Sequence, residues 1–162
     1  MQLKVKRLTE TAILPEKAFP TEAGFDVFAD EDVTVHNGET VAVSTGIALE
    51  IPDGYYGRLK ARSGLTINSD LRVLEGTIDS SFRGEIKIIA ETKAFTSWKT
   101  EKLFYHTQPS SAFAIKKGAK IAQLIIQPVP QFEIVEADEL SESDRGENGF
   151  GSTGVFVKSE DL

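Results

Sequence analysis

The stretch "VTVHNGETVAV", residues 33–43, sets Asn37-Gly38 between two valine-rich arms in which apolar and polar side chains alternate. Period-two alternation puts every second side chain on one face, as in a half-buried strand, and Asn-Gly suits the positive φ angles of a type I′ turn. The stretch therefore predicts a hairpin, and with it a β protein. The pattern extends on both sides. "LKVKRL" (3–8) alternates cleanly, and "IALEIPDGYYGRLKAR" (47–62) repeats the arrangement around Pro52-Asp53-Gly54. Further strands are expected in "LRVLEG" (71–76), "GEIKIIAE" (84–91), "KLFYH" (102–106), "KIAQLIIQPV" (120–129) and "FEIVEA" (132–137). Only "SGLTINSD" (63–70) reads as a helical turn or two, with Ser63 as its cap. Many short strands with one short helix predict an all-β sandwich, jelly roll or closed barrel.

With 162 residues, 40% apolar and 27% charged, the chain has the size and composition of one globular domain. It has no cysteine, which excludes disulfides, thiolate nucleophiles and cysteine-based zinc sites and fits a reducing cytoplasm. His36 and His106 are far apart in sequence, so a histidine metal site or Ser-His triad is not expected. No segment has the make-up of a signal peptide or membrane span. The net charge of −7 argues against a broad nucleic-acid interface. An acidic protein can still bind a small polyanion if arginines, glycine-rich backbone and a divalent cation offset the repulsion.

Several segments carry such groups. In "EAGFDVFA" (22–29), Asp26 interrupts an apolar strand; it either faces a cation's water shell or hydrogen-bonds a turn. In "RSG" (62–64), Arg62 offers a donor fork, Ser63 a hydroxyl, and Gly64 room for close approach, although a helix cap with a solvent-facing arginine reads the same way. "EGTIDSSFRGE" (75–85) reads as a hairpin bracketed by Gly76 and Gly84. Asp79 near its tip either activates a water or makes an Asx turn. Gln123 is the anomaly in the apolar "KIAQLIIQPV" and, if buried, needs partners in the core or on a ligand. The stretch "DELSESDRGENG" (138–149) reads as an extended arm running into "GFGSTG" (149–154), whose backbone can wrap an anion or simply be a flexible tail. It is not a Walker loop, because no lysine follows the final glycine.

Taken in order, "AGFDVFA", "RSGL", "EGTIDSSFRGEI", "KIAQLIIQPV" and "RGENGFGSTG" resemble the five motifs of the trimeric dUTP pyrophosphatases (dUTPases), over about residues 22–154. The resemblance implies a jelly-roll or β-barrel subunit over residues 1–137, with residues 138–162 as a mobile arm. It implies a homotrimer with shared active sites, cytoplasmic location, and Mg²⁺-dependent hydrolysis of dUTP to dUMP and pyrophosphate. By this resemblance Asp79 activates the water, and Asp26 supports the Mg²⁺ water shell indirectly. Arg62, Ser63, Gly64 and Gln123 bind phosphate. The backbone at Gly76 and Ile78 reads uracil, and Phe82 packs under the deoxyribose. Arg145, Phe150, Gly151, Ser152 and Thr153 close over base and γ-phosphate.

Three positions depart from the family's usual pattern: Phe82 where tyrosine is usual, Thr77 for an aliphatic residue, and Ser81 for an acidic residue or glycine. Residues 92–112, which hold the only Trp, form a longer connection than usual. They resemble inserts of some phage dUTPases that engage regulatory proteins, which implies a phage or prophage type. Two other functions stay open: a dCTP deaminase-like enzyme of related fold, and a nucleotide-gated binding protein that uses 92–112 to contact a regulator.

Overall fold

The structure, a computed structural model, describes residues 1–92 and 112–148. The chain divides into two compact units, residues 1–131 and 132–162. In the first unit the strands are β1 (Lys4–Arg7), β2 (Phe25–Phe28), β3 (Val33–His36), β4 (Thr40–Glu50), β5 (Tyr55–Ala61), β6 (Leu71–Val73), β7 (Gly76–Ile78), β8 (Glu85–Thr92), β9 (Ala112–Ile115) and β10 (Lys120–Pro128). One helix, α1 (Ser63–Asn68), follows β5. The strands form two four-stranded antiparallel sheets, β1-β4-β8-β6 and β2-β10-β5-β7, and a separate β3-β9 ladder. Alternate residues of both sheets enter one core. Val43, Ile47 and Ile88 come from the first sheet, Val27, Leu59 and Leu124 from the second, and Val35 and Ile115 from the ladder. Each such side chain contributes roughly 1.5–3 kcal/mol on burial. The expected jelly-roll-like all-β architecture, with one short helix among the described residues, is present.

The turns fall where the sequence placed them, but the pairing differs. Gly38 has φ +77° and Glu39 N donates to His36 O at 2.9 Å, so the Asn37-Gly38 reversal exists. Its arms nevertheless do not pair: β3 joins β9, whereas β4 lies between β1 and β8. At Pro52-Asp53-Gly54 the chain again crosses from one sheet to the other, and so it does between β7 and β8 in the predicted 76–84 hairpin. A turn residue reverses the chain without choosing its partner. A strand with one apolar face is buried equally well when it crosses to the opposite sheet, and repeated crossing separates this fold from a meander.

Three local expectations are corrected. Arg62, not Ser63, occupies the N-cap of α1, with extended backbone (φ −83°, ψ 126°) and no side-chain cap hydrogen bond. "FEIVEA" forms no strand: Phe132, Ile134 and Val135 are 84%, 97% and 74% exposed, because alternation produces a strand only where another strand is there to pair. Strand β9, "AFAI", was not anticipated. Residues 93–111, with the "KLFYH" strand and most of the expected insertion, lie outside the described residues; Thr92 closes β8 and Ala112 opens β9.

A polar cluster ties the N-terminal segment to β4. The Thr9 hydroxyl donates to Asp30, and Lys117 Nζ lies 3.2 Å from Asp30 Oδ1. Gly46 has φ +65°, and a Cβ there would sit 2.6 Å from Asp30 Oδ2 and 2.7 Å from Thr9 Oγ1, so only glycine fits. Glu85 Oε1 accepts from Ser44 Oγ and, at 3.0 Å, from Gly46 N. The Thr9 hydrogen bond, with Thr11 and Lys117, holds the Asp30 carboxyl below its ordinary value despite desolvation. Burial pushes Glu85 up, but the Ser44 and Gly46 hydrogen bonds outweigh it and leave that carboxyl lowered as well.

Candidate functional site

The outer face of the β2-β10-β5-β7 sheet is polar. Its register puts Asp26, Gln123 and Lys60 directly opposite one another across β2, β10 and β5, so the three share that face. Asp26 is 6% exposed. Its Oδ1 is 3.2 Å from Arg62 Nε and its Oδ2 is 3.1 Å from Lys120 Nζ. A buried carboxylate stays charged only with such partners. Arg62 Nη1 also donates to Lys120 O at 3.1 Å, so the guanidinium is held on two sides. Ser63 and Gly64 follow immediately and are exposed. A Cβ on Gly64 would meet open space, so packing within this chain does not explain the glycine. The structure thus brings Asp26, Arg62 and Gln123 together, with Ser63 and Gly64 beside them. Gln123 is half-buried rather than sealed in the core, and its side chain packs over Gly24.

Gly76, Ile78, Asp79 and Phe82 form a second group. Strand β7 pairs with β5 on one side and is the edge of its sheet, so half of its backbone donors and acceptors face no strand. Ile78 points into the core, which turns its neighbour Asp79 outward at the start of a tight turn closed by Phe82 N donating to Asp79 O at 3.1 Å. Asp79 is exposed and borders a cavity of about 560 Å³ lined also by Tyr55, Tyr56, Thr77, Ser80 and Gln131. The Phe82 ring is 46% exposed and lies against Gly84, where a Cβ would come within 2.6 Å of it.

These groups stand at opposite ends of one sheet face. Ile78 is level with Gly57, and Arg62 lies five residues further along the chain, just past the end of β5, about 16 Å at ~3.3 Å per residue. A general base must reach its water within about 3 Å. Within one chain Asp79 and Arg62 therefore cannot serve the same phosphorus. Among the described residues no three His, Asp or Glu side chains converge to hold a metal ion. Asp26 Oδ1, buried and without a hydrogen-bond partner, is the acceptor that could receive a metal-bound water.

Of the expected arm residues only Arg145 is described, in the second unit, where its Nε donates to Asn148 O at 2.8 Å. Phe150, Gly151, Ser152 and Thr153 lie outside the described residues. Lys120 and Glu16 escaped the sequence reading. Strict alternation sets Lys120 and Gln123, three residues apart, on opposite faces. The adjacent apolar pair Ile121-Ala122, both buried, was the available sign of a bulge.

A dUTPase family model matches residues 10–154. The deoxyuridine 5'-triphosphate nucleotidohydrolase of Nautilia profundicola is 43% identical over 156 residues, covering 95% of this chain and 99% of that protein. A point mutant of the Staphylococcus bacteriophage 80alpha dUTPase, solved with dUpNHpp, superposes with a TM-score of 0.85 at 34% identity, covering 95% of this chain and 99% of that one. A dUTPase from phage phi11 of S. aureus, solved to describe coordination of a structural Mg(II) ion, gives a TM-score of 0.75 at 31% identity over 86% of this chain and 98% of its own.

Proposed function

The chain belongs to the dUTPase family, and from that premise we propose that it hydrolyses dUTP to dUMP and pyrophosphate. The observation that carries the reading is the division of the site residues into two groups on one sheet face, a cation-bearing one and a carboxylate-bearing one. The phosphate-binding donors lie in the first and the exposed carboxylate in the second, and two copies of the chain bring them together. Water attacks the α-phosphorus as the Asp79 carboxylate takes its proton, and the bond to the bridging oxygen breaks to release pyrophosphate. Arg62, Ser63 and Gln123 hold the phosphates. The free edge of β7 at Gly76 and Ile78 reads uracil; cytosine presents a donor where uracil presents an acceptor and would leave backbone groups unpaired. Phe82 packs under the deoxyribose and leaves no room for a 2′-hydroxyl. Mg²⁺ would arrive on the triphosphate, with Asp26 facing its water shell, and supplies charge neutralisation. Arg145, Phe150, Gly151, Ser152 and Thr153 close the site from a third copy in a homotrimer. A cytoplasmic enzyme fits the cysteine-free, acidic composition.

The test is pyrophosphate release from dUTP, dTTP, dCTP and UTP, with and without Mg²⁺. Selective, Mg²⁺-dependent turnover of dUTP is expected; ammonia release from dCTP would instead establish the deaminase reading. Contact with a regulatory protein through 92–112 is tested by capture with and without that segment, and equal capture by both forms would dismiss the segment.

A further inference from the structure

We propose that Lys120 is a positioning residue for the phosphate-binding half of the site: its carbonyl fixes the Arg62 guanidinium, and its ammonium shares the Asp26 charge so that Arg62 can face a phosphate. The inference rests on the dUTP-hydrolysing reading and deepens it.

It starts from an irregularity in register. Along β10, Lys120 is opposite Phe28, Ala122 opposite Val27 and Gln123 opposite Asp26, which leaves Ile121 without a partner. One inserted residue shifts the alternation, so Lys120 and Gln123 emerge on the same face; a regular strand would point Lys120 to the opposite face from Gln123, into the core. Bulges commonly re-aim a side chain in this way. The bulge delivers the ammonium to 3.1 Å from Asp26 Oδ2, 3.0 Å from Glu16 Oε1 and 5.5 Å from the centre of the Phe28 ring.

Glu16 is itself delivered by backbone. An isolated bridge straps it to β2, with Asp26 N donating to Glu16 O at 2.7 Å and Glu16 N to Asp26 O at 3.3 Å. The result is a chain of alternating charge, Glu16–Lys120–Asp26–Arg62. The Glu16 and Asp26 hydrogen bonds hold the Lys120 ammonium above its ordinary pKa, so it stays charged. Arg62 is held by two groups in this arrangement: it donates through Nη1 to the Lys120 carbonyl, and its Nε lies 3.2 Å from Asp26 Oδ1 in an ion pair. Because Lys120 already neutralises much of Asp26, the remaining guanidinium donors are available to a ligand. Without that ammonium, Arg62 becomes the only counter-ion of a buried carboxylate and turns its fork inward.

The experiment compares Lys120→Met, Lys120→Arg and Glu16→Gln with the unaltered full-length chain. It reads KM and kcat for dUTP, the Kd of α,β-imido-dUTP, and Tm. Lys120→Met should raise KM and Kd about tenfold, the scale of one charge-assisted contact, while kcat stays within about threefold. Lys120→Arg should restore both. Glu16→Gln, at an exposed carboxylate whose loss leaves the fold intact, should raise KM about threefold as the ammonium loses its second anchor. A Lys120→Met protein with lower Tm but unchanged KM and Kd, or no rescue by arginine, overturns the proposal. If Lys120→Met does not fold, an unchanged KM in Glu16→Gln overturns it. An unaltered chain that does not turn over dUTP sinks the activity reading itself; the variant outcomes, read against an active chain, bear on Lys120 alone.

Discussion

Two aspartates on the same sheet face live in opposite environments, and their chemistry divides accordingly. Asp26 is buried and paired with two cations, Arg62 and Lys120, whereas Asp79 sits exposed on a turn beside a cavity, where a substrate and its attacking water can reach it. Asp79→Asn should therefore lower kcat by about 10²–10⁴ while binding of α,β-imido-dUTP, followed by calorimetry, is retained. Near-normal turnover in that variant would reassign the base. Both aspartates were legible in the sequence because each broke a local pattern, one within an apolar strand and one at a glycine-bracketed turn. What Asp26 touches was not legible, since Lys120 lies 94 residues away and reaches it only through an irregularity of register.

At the scale of elements, turn chemistry is local and could be read, as at Asn37-Gly38 and Pro52-Asp53-Gly54. Strand pairing is a property of the whole core and could not. "FEIVEA" alternates as cleanly as "LKVKRL", yet only the latter finds a neighbour, β4, to pair with. The β4 kink at Gly46 carries two predictions. Gly46→Ala should cost at least about 1–2 kcal/mol from the left-handed backbone alone, before the clash with Asp30 and Thr9 is counted, and should lower Tm. Asp30 and Glu85, which brace the same kink, both have lowered pKa values in the folded chain. Carboxyls of this kind bind protons more readily when unfolded, so their stabilisation is complete above the ordinary carboxylate range, about pH 4–4.5, and fades as pH falls through the depressed folded values. Tm should be flat near neutrality and drop in acid, and Thr9→Val, by bringing the folded Asp30 value back toward its unfolded one, should lower Tm near neutrality and make the acid drop shallower. A Thr9→Val acid profile identical to that of the unaltered chain would refute the assignment.

For the whole molecule, the separation of Asp79 from Arg62 makes sharing between copies measurable. Asp79→Asn and Arg62→Ala chains should each be inactive, yet co-refolded at equal amounts they should regain about a quarter of the native rate, the random-mixing expectation when each site draws one group from each of two copies. Absence of recovery would refute the sharing of one site between copies. The strand order has a further consequence, for synthesis. Strand β10 lies between β2 and β5, so the second sheet lacks one of its two central strands until residue 128 has left the ribosome, whereas β1 and β4 can meet once the first fifty residues are out. The nascent chain must therefore carry β2 without a strand partner and β5 with one open edge through most of translation, and a stall before "KIAQL" would release a half-sandwich open to aggregation.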